Sequence, residues 1–269
     1  MSKNRIITLL TDFGLSDVYV GVMKGAIAQI NPQLKVIDIT HQIPSQNIAA
    51  ARFCLMTAFA YFPPETVHIA VVDPGVGSKR RGVAIKCASC WLVGPDNGLF
   101  SGVLSRESAR SSVELTNPKY WRTSQPSSTF HGRDIFAAAG AHLANGVALE
   151  ELGECIDPAS LVELEIPNCA VTATGAAGCI QYVDRFGNLI TNIPNNCIVG
   201  NNWSVTISNS SDAIRIPSGK TYSDSEPGDL IAISGSDGWV EIAVNGGSAQ
   251  SVLKLECGAI VQLLFETNN

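Results

Sequence analysis

Apolar residues follow two different patterns along this chain of 269 residues, one in each half. In the first half, short apolar runs alternate with segments in which apolar residues recur every three or four positions, as they do from Val20 to Ile30. Residues 66–72 form an apolar run of the kind expected for a strand buried on both faces of a sheet. This alternation predicts an α/β fold with a layered N-terminal domain and a mostly parallel sheet. The predicted elements are strands at 6–11, 34–39, 66–72, 83–86 and 91–93, and helices at 17–30, 48–62 and 134–144.

From about residue 170 the pattern changes to short strand segments separated by Gly, Asn, Ser and Pro, and no long helical period occurs. Such a pattern predicts a small β-barrel or a sandwich. We therefore expect an N-terminal α/β domain over residues 1–168 and a C-terminal β-barrel domain over residues 169–269. The predicted strands of the second domain are 179–183, 189–193, 203–207, 213–216, 229–234, 239–244, 251–255 and 259–265.

Charge and hydropathy limit the partners that the chain can have. The formal net charge is −6, and the 18 Lys and Arg residues form no basic run, so we expect no nucleic-acid partner. No apolar segment is long enough to span a bilayer, and the short apolar run before Asp12 lacks a signal-peptide cleavage site. These features predict a cytoplasmic protein without a membrane partner. The low fraction of charged residues, 16%, fits a homo-oligomer.

The eight cysteines are scattered, and only Cys87 and Cys90 form a C-x-x-C pair. A zinc site usually takes four ligands from two such pairs, and the chain has no second pair. We therefore interpret the cysteines as reduced buried thiols and predict no metal site. A redox or metal role for this pair is the alternative.

Two aspartates, Asp12 and Asp73, directly follow predicted strands of the sheet. Ligands of open α/β sheets bind beyond the carboxyl ends of the strands, so two acidic side chains there indicate a site. For Asp73 the alternative is a simple turn, because Pro and Gly follow it. The glycines of this turn do not match a phosphate-binding loop, since Arg80 stands where a dinucleotide fingerprint has its third glycine.

The segment SSTFHGRD, residues 127–134, precedes a predicted helix and contains His131. Its hydroxyls are candidate helix caps, and a lone histidine is often structural. At the start of a helix, however, a histidine is well placed for a site, and the positive helix end disfavours the imidazolium form. A serine hydrolase is a poor match, because the chain has no G-x-S-x-G elbow.

Five segments occur in a fixed order along the chain: TDFGLSD (11–17), VVDPGVGSKRR (71–81), SSTFHGRD (127–134), DRFGN (184–188) and SDGWVEIAVNGG (236–247). Together they resemble the S-adenosyl-L-methionine (SAM) hydroxide adenosyltransferases, which hydrolyse SAM to adenosine and are related to the SAM-dependent fluorinase and chlorinase. The resemblance implies an α/β domain followed by a β-barrel. It also implies a homotrimer whose site lies between the N-terminal domain of one subunit and the C-terminal domain of a neighbour. SAM is then the substrate, and no cofactor is implied.

The resemblance assigns a catalytic set to Asp73, Arg80 and His131. Arg80 is preferred to Arg81 because it keeps the family's spacing from the aspartate. In the mechanism that follows, water attacks the ribose C5′ carbon of SAM in line with the departing methionine sulfur.

The resemblance also implies a set of substrate contacts. Asp12 is expected to bind the ribose diol, because one carboxylate can accept from two hydroxyls. Asn188 is expected to bind the adenine. Glu241 is expected to contact the substrate, and the alternative is that this strand residue only faces solvent. The implied substrate-binding residues are Asp12, Asp17, Phe130, Asp184, Phe186, Asn188, Ser236, Glu241, Val244 and Gly246.

Three departures from the halogenases favour water over a halide. Gly132 stands where the fluorinase has a serine that helps to hold the halide, and Asp73 and His131 stand where it has tyrosines. A carboxylate beside the attack line would repel a halide. A fourth departure concerns the methionine end of the substrate: Asp237 stands where the halogenases have an arginine for the methionine carboxylate.

Two alternatives to a hydrolase follow from the same residues. A non-catalytic sensor of SAM or adenosine would keep Asp12 and Asn188 but would not need Arg80 and His131. A SAM-dependent halogenase would share the pocket but would carry a hydroxyl at position 132.

Overall fold

The computed structural model describes residues 5–200, 202–208 and 213–265. The chain divides into two compact units, Met1–Leu164 and Glu165–Asn269. Within the described ranges, no helix combines the length and the apolar character that a bilayer crossing requires.

A seven-stranded sheet forms the centre of the first unit. Its strands are β1 (Ile7–Thr11), β2 (Val36–Thr40), β3 (Thr66–Val71), β4 (Gly82–Lys86), β5 (Cys90–Pro95), β6 (Ser111–Glu114) and β7 (Glu154–Ile156). In space the order is β2-β1-β3-β5-β4-β6-β7. The neighbours from β2 to β5 pair in parallel, whereas β4 is antiparallel to β5 and β6, and β7 is antiparallel to β6. The predicted mostly parallel sheet is therefore confirmed.

Helices cover this sheet and bury their apolar faces against it. They are α1 (Tyr19–Ile30), α2 (Ile48–Ala58), α3 (Ser101–Leu104) and α4 (Ala137–Ala144), with a π-helical segment at Gly132–Phe136 directly before α4. Met23 and Ile27 of α1 share one buried cluster with the alanines of α4 and the apolar residues of β3. The alanine-rich α4 lies very close to β3. A Cβ atom added at Gly140 of α4 would come within 2.4 Å of the Ile69 side chain of β3.

The helix predicted over 48–62 is shorter than expected. It ends at Ala58 and tightens into a 3₁₀ turn at Phe59–Tyr61, after which Phe62 is extended. Pro63 explains the end, since a proline disfavours helical geometry at the residue before it and supplies no N–H.

The second unit is a closed barrel, as predicted. Its strands are β8 (Ala170–Thr172), β9 (Gly175–Val183), β10 (Leu189–Pro194), β11 (Trp203–Ser208), β12 (Ala213–Gly219), β13 (Leu230–Ser234), β14 (Trp239–Val244) and β15 (Ile260–Phe265). Seven of them close the ring through the β9–β10 pairing, and among the strands that the structure describes β8 pairs with β9 alone.

The prediction of a strand over 251–255 is wrong, because residues 251–253 belong to a short helix, α5 (Ala249–Leu253). The Ser248 hydroxyl caps the helix by accepting from the backbone N–H of Ser251 at 3.2 Å. Ala249 and Leu253 are buried one turn apart while Val252 is exposed, and Lys254 ends the helix in the left-handed region. A helical spacing of two apolar residues is too short a signal to be recognised in the sequence.

A buried histidine sits in the central strand β3. The Nδ1 atom of His68 lies 2.7 Å from the Thr8 hydroxyl of β1, and the buried Nε2 atom has no hydrogen-bond partner among the described residues. Burial lowers the pKa of His68 to about 4, so the ring is neutral in the folded protein at neutral pH. An unfolded histidine titrates near 6.5, so the unfolded chain binds the extra proton first.

The stability of the protein should therefore be complete above pH 6.5 and should fall as the pH drops toward 4. Between pH 7 and pH 5 we expect His68 alone to lower the free energy of unfolding by about 1–2 kcal/mol. Urea denaturation at the two pH values measures this loss, and a His68→Leu variant should show a loss smaller by that amount. An equal loss in the variant and the wild type would contradict the assignment.

Candidate active site

Two acidic side chains lie at the same edge of the first unit's sheet. Asp12 follows β1 and Asp73 lies two residues beyond β3, and these strands are parallel neighbours. Together with loop residues 127–133, they line a cleft of about 610 Å³. A cleft of this size at the carboxyl ends of parallel strands suits a small-molecule ligand.

Arg80 connects Asp73 to His131 inside this part of the molecule. Its Nε donates to Asp73 Oδ1 at 2.9 Å, and one terminal nitrogen donates to Asp73 Oδ2 and to His131 Nδ1, the latter at 2.8 Å. The side chains of Asp73 and Arg80 are only 6% and 11% exposed. Such a two-point ion pair fixes the orientation of both groups. The structure thus brings together the three residues that the sequence predicted as a catalytic set.

The turn that returns Arg80 to Asp73 packs closely on the loop that carries His131. Gly77 has a φ of +75°, and a Cβ atom there would lie 2.3 Å from the Ser128 carbonyl oxygen. A larger residue at this position would force the turn and the loop apart. The guanidinium of Arg80 also lies over the Phe136 ring, 5.2 Å from its centroid.

The hydrogen bond from Arg80 determines the proton position on His131. A guanidinium can only donate, so His131 Nδ1 must accept, and the neutral ring carries its proton on Nε2. Burial is the main cause that lowers the pKa of His131, and the positive charge of Arg80 lowers it further. The negative charge of Asp73 raises the pKa but offsets this lowering only in part. The neutral imidazole expected from the sequence therefore arises mainly from burial and from Arg80.

Asp134 holds the loop that precedes His131 in place, a role that the sequence analysis did not foresee. Its fully buried carboxylate accepts from Arg122 at 2.5 Å, from Arg133 at 2.7 Å and from the Ser127 backbone N–H at 2.9 Å. Burial alone would raise the pKa of Asp134, but these hydrogen bonds outweigh it and hold the pKa well below its usual range. The carboxylate thus ties the two ends of segment 127–134 together.

A second unforeseen residue is Gln46, which lines the cleft beside Asp12. Its backbone N–H donates to Asp12 Oδ2 at 2.8 Å, and its φ of 63° lies in the left-handed region. Such a conformation is unfavourable for glutamine and persists only where surrounding contacts impose it. Nothing in the sequence signals a positive φ at a glutamine, so this residue could not be found from the pattern.

An aromatic group forms one wall of the cleft. Phe13, Tyr19 and Phe130 contact one another with ring centroids 5.3–5.8 Å apart. Only Phe130 was predicted. Gly132 lies behind this wall, where an added Cβ atom would meet Phe130 at 3.3 Å, Phe13 at 3.4 Å and the Met23 sulfur at 3.5 Å.

Asp17 behaves differently from the other predicted residues of the first unit. It is exposed in the loop before α1, and it is not among the described residues that line the cleft. Its predicted contact with substrate stays a prediction.

In the second unit, Asp184 and Asn188 organise the β9–β10 turn. Asp184 Oδ1 accepts from the backbone N–H groups of Phe186 and Asn188 at 2.8 Å each, and Oδ2 accepts from Asn188 Nδ2 at 2.9 Å. The turn leaves the ring of Phe186 76% exposed, which is unusual for a phenylalanine. The Gly187 carbonyl oxygen of this turn accepts from the backbone N–H of Gln250 at 2.9 Å, which places the turn against the segment after β14.

Glu241 of β14 is buried, so the alternative that it only faces solvent is wrong. It is 7% exposed, and its Oε1 accepts from the Tyr222 hydroxyl at 2.8 Å. Burial raises the pKa of Glu241, and the carboxylates of Asp184 and Asp237 raise it further against the hydrogen bond from Tyr222. Three acidic groups therefore influence one another in this unit.

The remaining predicted positions lie around β14. Ser236 is exposed in the β13–β14 turn, and Gly246 is exposed after β14 with a φ of 73°. Val244 is buried, and its carbonyl oxygen accepts from Gly247.

Comparison with known proteins identifies the family. A family model described as the SAM hydroxide adenosyltransferase N-terminal domain matches residues 7–153, and the model of the C-terminal domain of the same family matches residues 178–262. The chain belongs to this family. The assignment made from the five sequence segments is thereby confirmed.

Individual proteins that are similar to this chain cover almost its whole length. A Salinispora tropica protein named (R)-S-adenosyl-L-methionine hydrolase is 38% identical over 259 residues, which are 96% of this chain and 97% of that protein. The crystal structure of an uncharacterized conserved protein from Thermotoga maritima is 35% identical, covers 96% of this chain and 100% of its own, and superposes with a TM-score of 0.90. A Nocardia brasiliensis fluorinase is more distant, at 25% identity over 97% of each chain.

Replacing Asp134 should destabilise the protein because its removal leaves two arginines and a backbone N–H without their acceptor. We expect Asp134→Ala to lower the free energy of unfolding by about 2–3 kcal/mol, less than for a fully buried pair because both arginines regain water. Urea denaturation at pH 7 measures the change. Asp229→Ala, at an exposed turn, is the matched control and should stay within about 0.5 kcal/mol of the wild type. A similar small effect for Asp134→Ala would show that the carboxylate does not hold the loop.

Proposed function

We propose that this protein hydrolyses SAM to adenosine and L-methionine. The observation that carries the proposal is that Arg80 donates to both Asp73 and His131, two residues that line the cleft. The similar proteins named (R)-S-adenosyl-L-methionine hydrolase support the same substrate and reaction.

The reaction is a single displacement at the ribose C5′ carbon. A bond forms between the water oxygen and C5′ while the bond from C5′ to sulfur breaks. The electron pair of the broken bond stays on sulfur, which leaves as the neutral thioether of methionine. The water loses one proton to solvent by way of Asp73. Because a sulfonium is already a good leaving group, the chemical step needs neither a general acid nor a cofactor.

Asp73 is the group that holds the water. Arg80 fixes its carboxylate at two points, so the remaining lone pairs accept from the water in a defined direction. A water held about 3–3.5 Å from C5′, opposite sulfur, is in the geometry for attack. Transfer of its proton to a positioned base contributes roughly 10²–10⁴ in rate.

His131 acts as a donor in this arrangement. Its Nδ1 is occupied by Arg80, and Nε2 carries the proton, so the neutral ring cannot take a proton from water. The Nε2–H group orients the water or a ribose oxygen instead. Asp73 is therefore the proton acceptor of the pair.

The same contacts favour water over a halide. The carboxylate of Asp73 offers only acceptors, which suit a water molecule that donates and do not suit an anion. A serine at position 132, which the halogenases use, would bring its Cβ atom within 3.5 Å of Phe130, Phe13 and the Met23 sulfur. The Phe130 ring would have to shift by a few tenths of an ångström to admit it.

The substrate contacts divide between the two units. Asp12 lines the cleft with its Oδ2 held by Gln46, and we assign it to the ribose diol. In the barrel we assign Asn188, with the backbone near Val244 and Gly246, to the adenine. The carboxylate of Asp184, near Asp237 and Glu241, suits the methionine ammonium group.

We further propose that a homotrimer completes the site, with the cleft of one subunit meeting the barrel of a neighbour. Exposed apolar side chains beside the two sets of residues support this arrangement. They are Leu15, Val18 and Tyr19 near the cleft, and Phe186 on the barrel. Large exposed apolar groups of this kind are typical of surfaces that become buried when subunits associate.

The state of the cysteines supports a reducing compartment such as the cytoplasm. All eight lie in the described part of the chain, and no pair of them is joined as a disulfide. Proteins of oxidising compartments more often pair their cysteines.

Incubation with SAM should release adenosine and methionine in equal amounts. Chromatography and mass spectrometry of the products measure both. Asp73→Asn should lower kcat by roughly 10²–10⁴ while the SAM dissociation constant changes only a few-fold, because the amide keeps the shape but not the base. Excess chloride should give no chlorinated nucleoside. Asp229→Asn, at an exposed turn, is the control and should keep full activity.

The alternatives give different results in this experiment. SAM binding without sustained turnover would indicate a sensor, and a chlorodeoxyadenosine product would indicate a halogenase. Wild-type turnover by Asp73→Asn would show that another group holds the water.

A further inference from the structure

The hairpin between β4 and β5 carries two thiols at the edge of the sheet away from the cleft. Lys86 pairs with Trp91, and the Cys87 backbone N–H donates to the Cys90 carbonyl oxygen at 2.9 Å across the two-residue turn. The two cysteines therefore lie directly opposite each other, and directly opposite residues present their side chains on the same face. Both are buried.

A carboxylate from a distant part of the chain joins these thiols. Glu107 lies just beyond α3, where its backbone N–H donates to the Val103 carbonyl oxygen. Its Oε2 atom lies 3.7 Å from the Cys90 sulfur and accepts from the Ser89 hydroxyl at 3.0 Å. The two sulfur atoms and one carboxylate oxygen of Glu107 all lie within 4.8 Å of one another.

We propose that Cys87, Cys90 and Glu107 bind a divalent transition-metal ion of the zinc type. Thiolate and carboxylate are both ligands of zinc, and bonds of about 2.3 Å to sulfur and 2.1 Å to oxygen place tetrahedral ligand atoms roughly 3.6–3.8 Å apart. The separation of 3.7 Å between the Cys90 sulfur and Glu107 Oε2 is already in this range. The other separations are at most 4.8 Å, so side-chain shifts of about 1 Å close the site.

The surroundings suit three protein ligands and one further position. The thiols are buried, whereas Glu107 is half-buried, so the carboxylate side is the one that is open to solvent. A water completes the fourth position there. The Ser89 hydroxyl orients the carboxylate, as groups behind metal ligands commonly do. On binding, the two thiols release their protons to solvent, and the thiolates donate to the metal.

The site is separate from the proposed chemistry. Cys90 begins β5 and is level with Thr66 at the start of β3, whereas Asp73 lies beyond the end of β3. The ion would tie the β4–β5 hairpin to the segment after α3, and we expect it to act on stability and not on SAM turnover.

Cobalt(II) titration of the whole 269-residue chain tests the proposal. The protein is first treated with a chelator and a phosphine reductant. Cobalt bound by two thiolates shows a sulfur-to-metal charge-transfer absorption in the near ultraviolet, which should saturate at one ion per chain and be displaced by zinc. Zinc at 100 times its dissociation constant should raise the melting temperature by roughly 5–10 °C. Zinc content of the purified protein, measured by plasma mass spectrometry, gives an independent readout.

Variants assign the ligands. Cys87→Ser/Cys90→Ser should lose the absorption and the thermal shift, and Glu107→Gln should keep the fold and weaken cobalt binding by 10-fold or more. Cys257→Ser, which alters an exposed thiol, should bind as the wild type does. Binding that is only millimolar, binding unchanged in Glu107→Gln, or a Cys87–Cys90 disulfide that forms in place of metal uptake would overturn the proposal.

Discussion

The guanidinium of Arg80 lies between a carboxylate and an imidazole. The arrangement of the candidate active site depends on the hydrogen bonds that its N–H groups donate to both. It holds Asp73 at both oxygens and also donates to Nδ1 of His131. Because arginine has no acceptor, this one contact sets the tautomer of the histidine. The three residues then have distinct roles: one carboxylate that accepts, one imidazole that donates, and one cation that orients both.

This contact requires two loops to approach each other closely, and other residues provide the means. Gly77 allows the turn after β3 to pack on the Ser128 carbonyl, and Asp134 draws segment 127–134 together through two arginines. A π-helical segment at Gly132–Phe136 begins within segment 127–134, and such segments are frequent at functional sites. In this chain Gly77 leaves room for the turn to approach the Ser128 carbonyl, and Gly132 keeps the space behind the aromatic wall free.

Much of this could be predicted from the sequence. The apolar runs before Asp12 and Asp73 predicted parallel strands, and parallel strands necessarily bring both carboxylates to one edge. The position of His131 at a helix start marked it as a candidate, but the catalytic roles of Arg80 and His131 came from the family resemblance, since nothing in their spacing alone shows that they touch. The left-handed Gln46, the burial of Glu241 and the helix at 249–253 were not predictable. Each depends on contacts with distant parts of the chain, which outweigh the local preference of a glutamine, a strand carboxylate or a short apolar segment.

The most direct test of the central claim is the stereochemistry at C5′. SAM that carries one deuterium in a defined configuration at C5′ would be hydrolysed, and the configuration of the resulting adenosine would be determined by NMR after derivatisation. Attack by a water that Asp73 holds, in one displacement, predicts inversion. Retention would mean that a protein group, such as Asp73 itself, first bonds to C5′ and is then displaced, and it would contradict the account.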